Sequence, residues 1–280
     1  MNIRCFQRNF SAALPPLVPL QLPSPMETHL WYILPDEVKS WGLLNQYSEL
    51  LSPCESESVN RMRGDQLKKR ALLARALVRT TIARYQTNCQ MNPRCLKFRK
   101  NLYGKPEVEW RNEDNFSPLP LHFNLSHTST MIACGVTVNV PIGIDIEEKQ
   151  RRTKNNLIAF AQRYFSAYEV KVLTAISDPE VQRQEEATLR NFHPPGSSVS
   201  EASDIIVESS DDPRNPTNNW QFTLLEVAGS HYGAICIEKD ITAGANAPMK
   251  LTVWKTIPFV EDVCVSGTDA VVDLGRIIEQ

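Results

Sequence analysis

The chain has 280 residues, 42% of them hydrophobic and 22% charged, with a formal net charge of −2. This is the composition of a globular protein with one large domain or two small ones. The near-neutral charge gives no reason to expect a general nucleic-acid binder, although residues 61–105 are strongly basic, and no apolar run approaches the ~18 residues of a membrane-spanning helix.

The first 26 residues carry no Asp or Glu but include Arg4, Arg8 and spaced apolar residues. Such a start resembles an organellar transit peptide, with mitochondrion as the first expectation and plastid or cytosol as alternatives. A Pro-rich disordered tail is the competing reading, because Pro15, Pro16, Pro19, Pro23 and Pro25 crowd the segment. The seven cysteines (Cys5, Cys54, Cys89, Cys95, Cys134, Cys236 and Cys264) form no Cys-x-x-Cys pair and no zinc spacing with histidine. They read as free thiols in a reducing compartment.

Folded sequence is expected from Glu27, with a strand over His29–Leu34 and a short helix over 36–51 ended by Ser52-Pro53. The clearest helix is expected over 59–85, with Leu67, Leu72, Ala76 and Ile82 on its apolar face. Lys68, Arg75 and Arg79 fall on another stripe, either a solvated basic face or an electrostatic rim for phosphates. Strand fragments follow over 96–127, broken by Gly104, Pro106 and the Pro118–Pro120 turn. Met131–Val138 and Ile142–Glu147 read as a hairpin around Asn139-Val140-Pro141. Helix returns over 154–176, where Ser166 and Glu169 fit a capping box. Residues 193–219 read as a long mobile loop. Trp220–Val227 and Tyr232–Glu238 form a last hairpin with His231 in its turn, Lys250–Ile257 adds a strand, and the tail from 261 to 280 is weakly patterned. The fold class is α+β, with two halves of similar content over 27–135 and 136–260.

Two runs carry the chemistry. In Gly143-Ile144-Asp145-Ile146-Glu147 the carboxylates stand two apart, so in a strand they share one face with the isoleucines behind them. Two such carboxylates suit a hard cation such as Mg²⁺, whose other positions go to water and substrate phosphates. In Phe123-Asn124-Leu125-Ser126-His127, three side chains can hydrogen-bond a phosphate.

With Tyr103-Gly104-Lys105-Pro106 before them and Phe160-Ala161-Gln162-Arg163-Tyr164-Phe165-Ser166 after, these runs occur in an order that resembles the 4'-phosphopantetheinyl transferases of the surfactin-synthetase-activating type, including eukaryotic single-chain holo-acyl-carrier-protein synthases. The resemblance covers roughly residues 27–240. It implies two similar α/β halves about a pseudo-twofold axis, hence a monomer, with coenzyme A between them as co-substrate. It also implies Mg²⁺-dependent transfer of the phosphopantetheine arm to a serine of an apo acyl carrier protein. Asp145 and Glu147 are then the metal ligands, and Asp145 and His127 the catalytic residues. His127, Ser126 and Asn124 would contact the phosphates and nucleotide, the Gly104-Lys105-Pro106 turn would place Lys105 near the adenine or 3'-phosphate, and Lys100 and Arg61 are further candidates.

The chain departs from the family at one motif. Trp-x-x-Lys-Glu, whose Glu is a third metal ligand and whose Lys assists deprotonation of the acceptor serine, occurs nowhere. At its expected place, beyond Glu185, stands Glu186-Ala187-Thr188-Leu189-Arg190. The alternative reading is therefore a splice or gene-model variant that only binds coenzyme A or carrier protein. A weaker third reading is an unrelated coenzyme-A-dependent acyltransferase.

Overall fold

The computed structural model describes residues 15–25, 27–85, 92–102, 104–109, 121–150, 171, 174–175, 220–238 and 249–273. Most of the helix expected over 154–176, the loop over 193–219 and the place of the absent motif lie outside the described residues.

The architecture is α+β. A five-stranded sheet runs in the order β10 (Glu261–Cys264), β9 (Lys250–Ile257), β1 (Glu27–Ile33), β5 (Ile132–Val138), β4 (Leu121–His127), antiparallel except for the β1–β9 pair. A four-stranded antiparallel sheet runs β11 (Val271–Asp273), β7 (Trp220–Val227), β8 (His231–Glu238), β6 (Ile142–Glu148). The hairpin of β2 (Phe98–Lys100) and β3 (Pro106–Val108) stands apart from both.

The large sheet is covered on both faces. On one side Trp31, Ile33, Ile132, Cys134 and Val136 pack with Leu73, Leu77 and Ile82 of the long helix. On the other, Leu30, Tyr32, Met131, Ala133 and Val253 pack with Ile142, Ile144, Ile146, Leu225, Ile235 and Ile237 of the small sheet. The layers are helix, sheet, sheet. This explains why β5 is buried along its whole length while β6 and β8 alternate: a strand covered on both faces has no polar side.

Gly135 lies where the sheets approach most closely. A Cβ there would stand 2.7 Å from both Ile142 Cδ1 and Ile144 Cγ2.

Among the described residues, α-helices lie on the face away from the small sheet, the long one against the strands and the others packed on it. Ser40 caps α1 (Trp41–Ser48), its hydroxyl accepting from Leu43 N–H. Ser52 and Glu55 form a reciprocal capping box on α2 (Pro53–Asn60). Ser52-Pro53 therefore starts a helix instead of ending one, since proline is tolerated at the first helical position. The helix expected over 59–85 is two helices. Gly64, at φ 94°, interrupts the run, and α3 spans Asp65–Arg84. Leu67 is about half exposed, and burial begins at Leu73, where α3 meets the sheet.

Three further expectations are corrected. β5 and β6 do not pair with each other. Both edges of β5 are taken by β1 and β4, so the chain crosses at Asn139 (φ 66°) to the other sheet, where β6 pairs with β8. Residues beyond 260 are not without pattern, for β10 and β11 extend the two sheets. Residues 15–25 include Leu17, Leu20 and Leu22 packed against the helix-side core, and the Leu20 N–H donates to the Arg84 carbonyl at 2.8 Å, capping the end of α3. Among the described residues no helix is long and apolar enough to cross a membrane.

Candidate functional site

The edge strands β4 and β6 belong to different sheets but run side by side, joined by side chains. Asn124 and Ser126 stand two apart on β4. Asn124 Oδ1 accepts from the Ile144 N–H at 3.1 Å, and Ser126 Oγ accepts from the Ile146 N–H at 3.1 Å. Alternate residues of a strand present their N–H groups to the same edge. The Asn-x-Ser spacing thus matches the Ile-x-Ile spacing, and two side chains stand where a neighbouring strand's carbonyls would.

Ser126 also orients a carboxylate. Its hydroxyl donates to Asp145 Oδ1 at 2.9 Å, and the same oxygen receives the Ile146 N–H at 3.0 Å. Asp145 is exposed and Glu147 half-buried, while Ile144 and Ile146 are buried. The alternation expected from the sequence therefore sets both acidic residues on the outward side of β6.

Beside them opens a cleft of about 670 Å³ between the first turns of α3 and the ends of β4 and β6. Arg70 and Arg75 line it from α3, Met62, Ala74 and Leu125 add apolar surface, and His127, Ser129, Glu147 and Glu148 line it from the β4 end, the turn after it and β6. Arg75 donates to the Ala71 carbonyl at 2.9 Å and to Ser58 Oγ at 3.1 Å, which holds its guanidinium against the helix. A cleft lined by cations from a helix, carboxylates from a strand and apolar side chains suits a ligand with anionic groups and an uncharged arm.

The basic stripe expected on α3 divides. Arg75 reaches the cleft, whereas Arg79 turns into the core, with 1% of its surface exposed. Its guanidinium donates to Glu55 Oε2 at 2.6 and 3.1 Å and to the carbonyls of Pro93 at 2.7 Å and Leu96 at 3.0 Å, and lies over the Phe98 ring. Arg79 is neither solvated nor a phosphate rim. It joins α2, α3 and the segment leading to β2.

His127 ends β4, exposed, and lines the cleft. Gly104 (φ 78°), Lys105 and Pro106 form the tight turn of the β2–β3 hairpin: the Gly104 N–H donates to the Asn101 carbonyl and the Lys105 N–H to Asn101 Oδ1. The Lys105 charge reaches the small sheet. It partly offsets the burial that pushes the Cys236 thiol up to about 11. Lys100 is exposed on β2, and Arg61, at the end of α2, pairs with Glu57 one turn back. Of the expected site residues only His127 and Glu147 line the cleft; Asp145, Ser126 and Asn124 stand beside it, and Lys100, Arg61 and the Gly104–Pro106 turn do not line it either.

Four participants escaped the sequence reading: Arg70, Ser129, Glu148 and His231. Hydrogen bonds from Ser129 lower the Glu148 carboxyl; burial opposes this, and Thr130 and the nearby His231 add to the lowering. His231, expected in a turn, is the first residue of β8 and only 2% exposed. Burial pushes its imidazole below the usual range despite the nearby Glu148. One signal for this cluster was available, the unbroken run of hydroxyls Thr128-Ser129-Thr130.

The donor set fits Mg²⁺ in kind: two hard carboxylates two apart on a rigid strand, one of them oriented by Ser126. Among the described residues no group of three or more His, Cys, Asp or Glu side chains comes together that could hold a metal.

No family model matches the chain. Three curated proteins are similar to parts of it, and each is named a 4'-phosphopantetheinyl transferase. HetI of Nostoc sp. is 30% identical over 157 residues, covering 56% of this chain and 62% of the relative. The Bacillus subtilis protein is 36% identical over 107 residues, 38% of this chain and 41% of its own length. The gsp protein of Aneurinibacillus migulanus is 33% identical over 96 residues, about a third of each chain. The chain thus spans 62% or less of the length of these relatives. The resemblance drawn from the motifs is to the same group of transferases.

Proposed function

We propose that this protein is a 4'-phosphopantetheinyl transferase that moves the phosphopantetheine arm of coenzyme A onto a serine of an apo acyl carrier protein, with Mg²⁺ at Asp145 and Glu147. The observation that carries this is the Ser126–Asp145 contact at 2.9 Å. It joins the two runs that resemble the family, on strands of separate sheets, beside a cleft lined by arginines from α3.

In this reading Arg70 and Arg75 hold the anionic groups of coenzyme A, and the apolar side chains take the uncharged arm. His127 donates to a phosphate oxygen at the mouth. Asp145 and Glu147 would hold the Mg²⁺, which when bound supplies positive charge to the pyrophosphate. Ser126 and the Ile146 N–H keep Asp145 Oδ1 turned in place, so that the carboxylate is preorganised. Mitochondrial localisation, with plastid or cytosol as alternatives, belongs to this proposal and rests on the composition of the first 26 residues.

The test mixes purified protein, coenzyme A, Mg²⁺ and an apo carrier protein, and reads the phosphopantetheine adduct by mass spectrometry. The expected result is adduct formation that Asp145→Ala abolishes. Transfer by Asp145→Ala at the wild-type rate would refute the metal assignment.

One observation favours a second reading. Trp-x-x-Lys-Glu, the family's source of a third carboxylate and a lysine, does not occur in this sequence. Loss of a positioned general base costs about 10²–10⁴ in rate. Coenzyme A binding by calorimetry without any adduct would establish a binder instead of an enzyme.

A further inference from the structure

We propose that His231 is a positioning residue, the centre of a polar clasp that fixes the distance between His127 on the large sheet and the Asp145–Glu147 strand of the small sheet. The functional consequence rests on the transferase reading above; the clasp itself does not.

The clasp is built from the turn between β4 and β5. Thr128 Oγ1 accepts from the N–H groups of Thr130 at 3.2 Å and Met131 at 3.0 Å, which closes the turn on itself. His231 Nε2 stands 2.9 Å from Thr130 Oγ1 and 3.2 Å from Thr128 Oγ1, and His231 Nδ1 stands 2.9 Å from Ser230 Oγ. The Thr130 hydroxyl donates to Glu148 Oε1 at 2.8 Å, and Ser129 Oγ donates to the same oxygen. One tautomer satisfies the chain. The Ser230 hydroxyl donates to Nδ1, Nε2–H donates to Thr130 Oγ1, and the Thr130 hydroxyl donates in turn to the carboxylate of Glu148.

The positions of its members give the clasp its consequence. His127 immediately precedes Thr128, and Glu147 immediately precedes Glu148. His231 lies opposite Glu148 in the β6–β8 register. Among the described residues the two sheets share no strand, so no backbone ladder there sets the spacing of β4 against β6. Side chains set it: Asn124 and Ser126 along the strands, and the His231 clasp at the cleft mouth, where His127 and Glu147 face the ligand. Partners hydrogen-bonded to metal-ligating side chains are worth about 10–100-fold in metal affinity or activity; the clasp bonds Glu148, the residue after Glu147, and that range bounds its effect.

The test compares wild type, His231→Phe, His231→Gln and Thr130→Val. Thr130 is exposed, so its substitution leaves the core untouched if His231→Phe fails to fold. The readings are thermal melting, kcat and the KM values for coenzyme A and for the carrier protein from adduct formation, and hydrogen exchange at the amides of Met131 and Ile146. In His231→Phe and Thr130→Val we expect kcat to fall by about 10–100-fold with KM for the carrier protein unchanged, and faster exchange at both amides. His231→Gln, which keeps a donor and an acceptor, recovers part of each. Unchanged kcat and unchanged exchange in Thr130→Val and in a folded His231→Phe overturn the proposal, as does a kcat loss without any change at Ile146. If the wild type forms no adduct, the transferase reading fails. The clasp is then judged on exchange alone: faster exchange at Met131 and Ile146 supports it, and unchanged exchange refutes it.

Discussion

Replacing Arg79 by Met separates structure from function on the basic helix. The side chain is buried and sits among four acceptor contacts, two to Glu55 and one each to the carbonyls of Pro93 and Leu96. Met fills similar length but donates nothing. Each buried carbonyl left without a donor costs about 1–3 kcal/mol. Glu55, about one-quarter exposed, keeps its Ser52 bonds and can be reached by water, so the ion pair adds less than the ~3–5 kcal/mol of a fully buried one. The expected loss is about 4 kcal/mol, a large part of the ~5–15 kcal/mol stability of a domain. With a urea slope near ~2 kcal/mol per molar, the unfolding midpoint falls by about 2 M. Ligand affinity of the folded variant should be unchanged, because Arg79 does not line the cleft. If the proposed transferase reading holds, Arg75→Ala should do the reverse, weakening coenzyme A binding with a small change in midpoint. A midpoint shift in Arg79→Met of under about 0.5 M, or lost coenzyme A binding in a folded Arg79→Met, would refute this division of roles.

Gly135→Val should destabilise by about 1–3 kcal/mol in urea titration, since its Cβ meets Ile142 and Ile144 at 2.7 Å between close-packed sheets; a neutral result would mean the sheets can part there. Asp262→Ala should cost about 3 kcal/mol, because it leaves the buried Arg84 guanidinium without its 2.9 Å partner; the same titration reads it. Stability should fall on acidification in two stages. Burial holds His29, His122 and His231 below the ordinary 6.5, so the unfolded chain takes up protons first and the native state weakens as pH drops below that value. Burial raises the Glu27 carboxyl, but hydrogen bonds from Lys250 and Ser24 outweigh it and bring the group to about 2, so its contribution is present above 4.5 and lost between there and about 2. Urea midpoints that stay level between pH 7.5 and 5 would contradict the first stage. Finally, a chain starting at residue 27 should melt lower than one starting at residue 15, because the shorter chain lacks Leu17, Leu20 and Leu22 against the core and the cap on α3; equal melting would show that the segment contributes nothing.

The alternation of Asp145 and Glu147 with buried isoleucines, the β7–β8 hairpin, β9 and the α+β class were legible in the chain alone, because strand periodicity depends on the local residues. So was the resemblance carried by the Phe123–His127 and Gly143–Glu147 runs. Partnership beyond that one hairpin was not legible. Asn139-Val140-Pro141 looked like the turn of a hairpin, yet β6 pairs with β8 because both edges of β5 are already occupied. Arg79 and Arg75 stand one turn apart on one stripe of α3, and nothing local distinguishes them. Arg79 is buried because Glu55 and two carbonyls converge on it from segments separated by up to 24 residues. His231 joins the site through Thr128 and Thr130, about a hundred residues away. The sequence by itself determined which residues could form strands and which side chains have the chemistry for phosphate and metal. Only the tertiary structure decided which of them meet, because sheet pairing and the burial of charge depend on groups distant in the chain, and their free energies are set by what stands opposite.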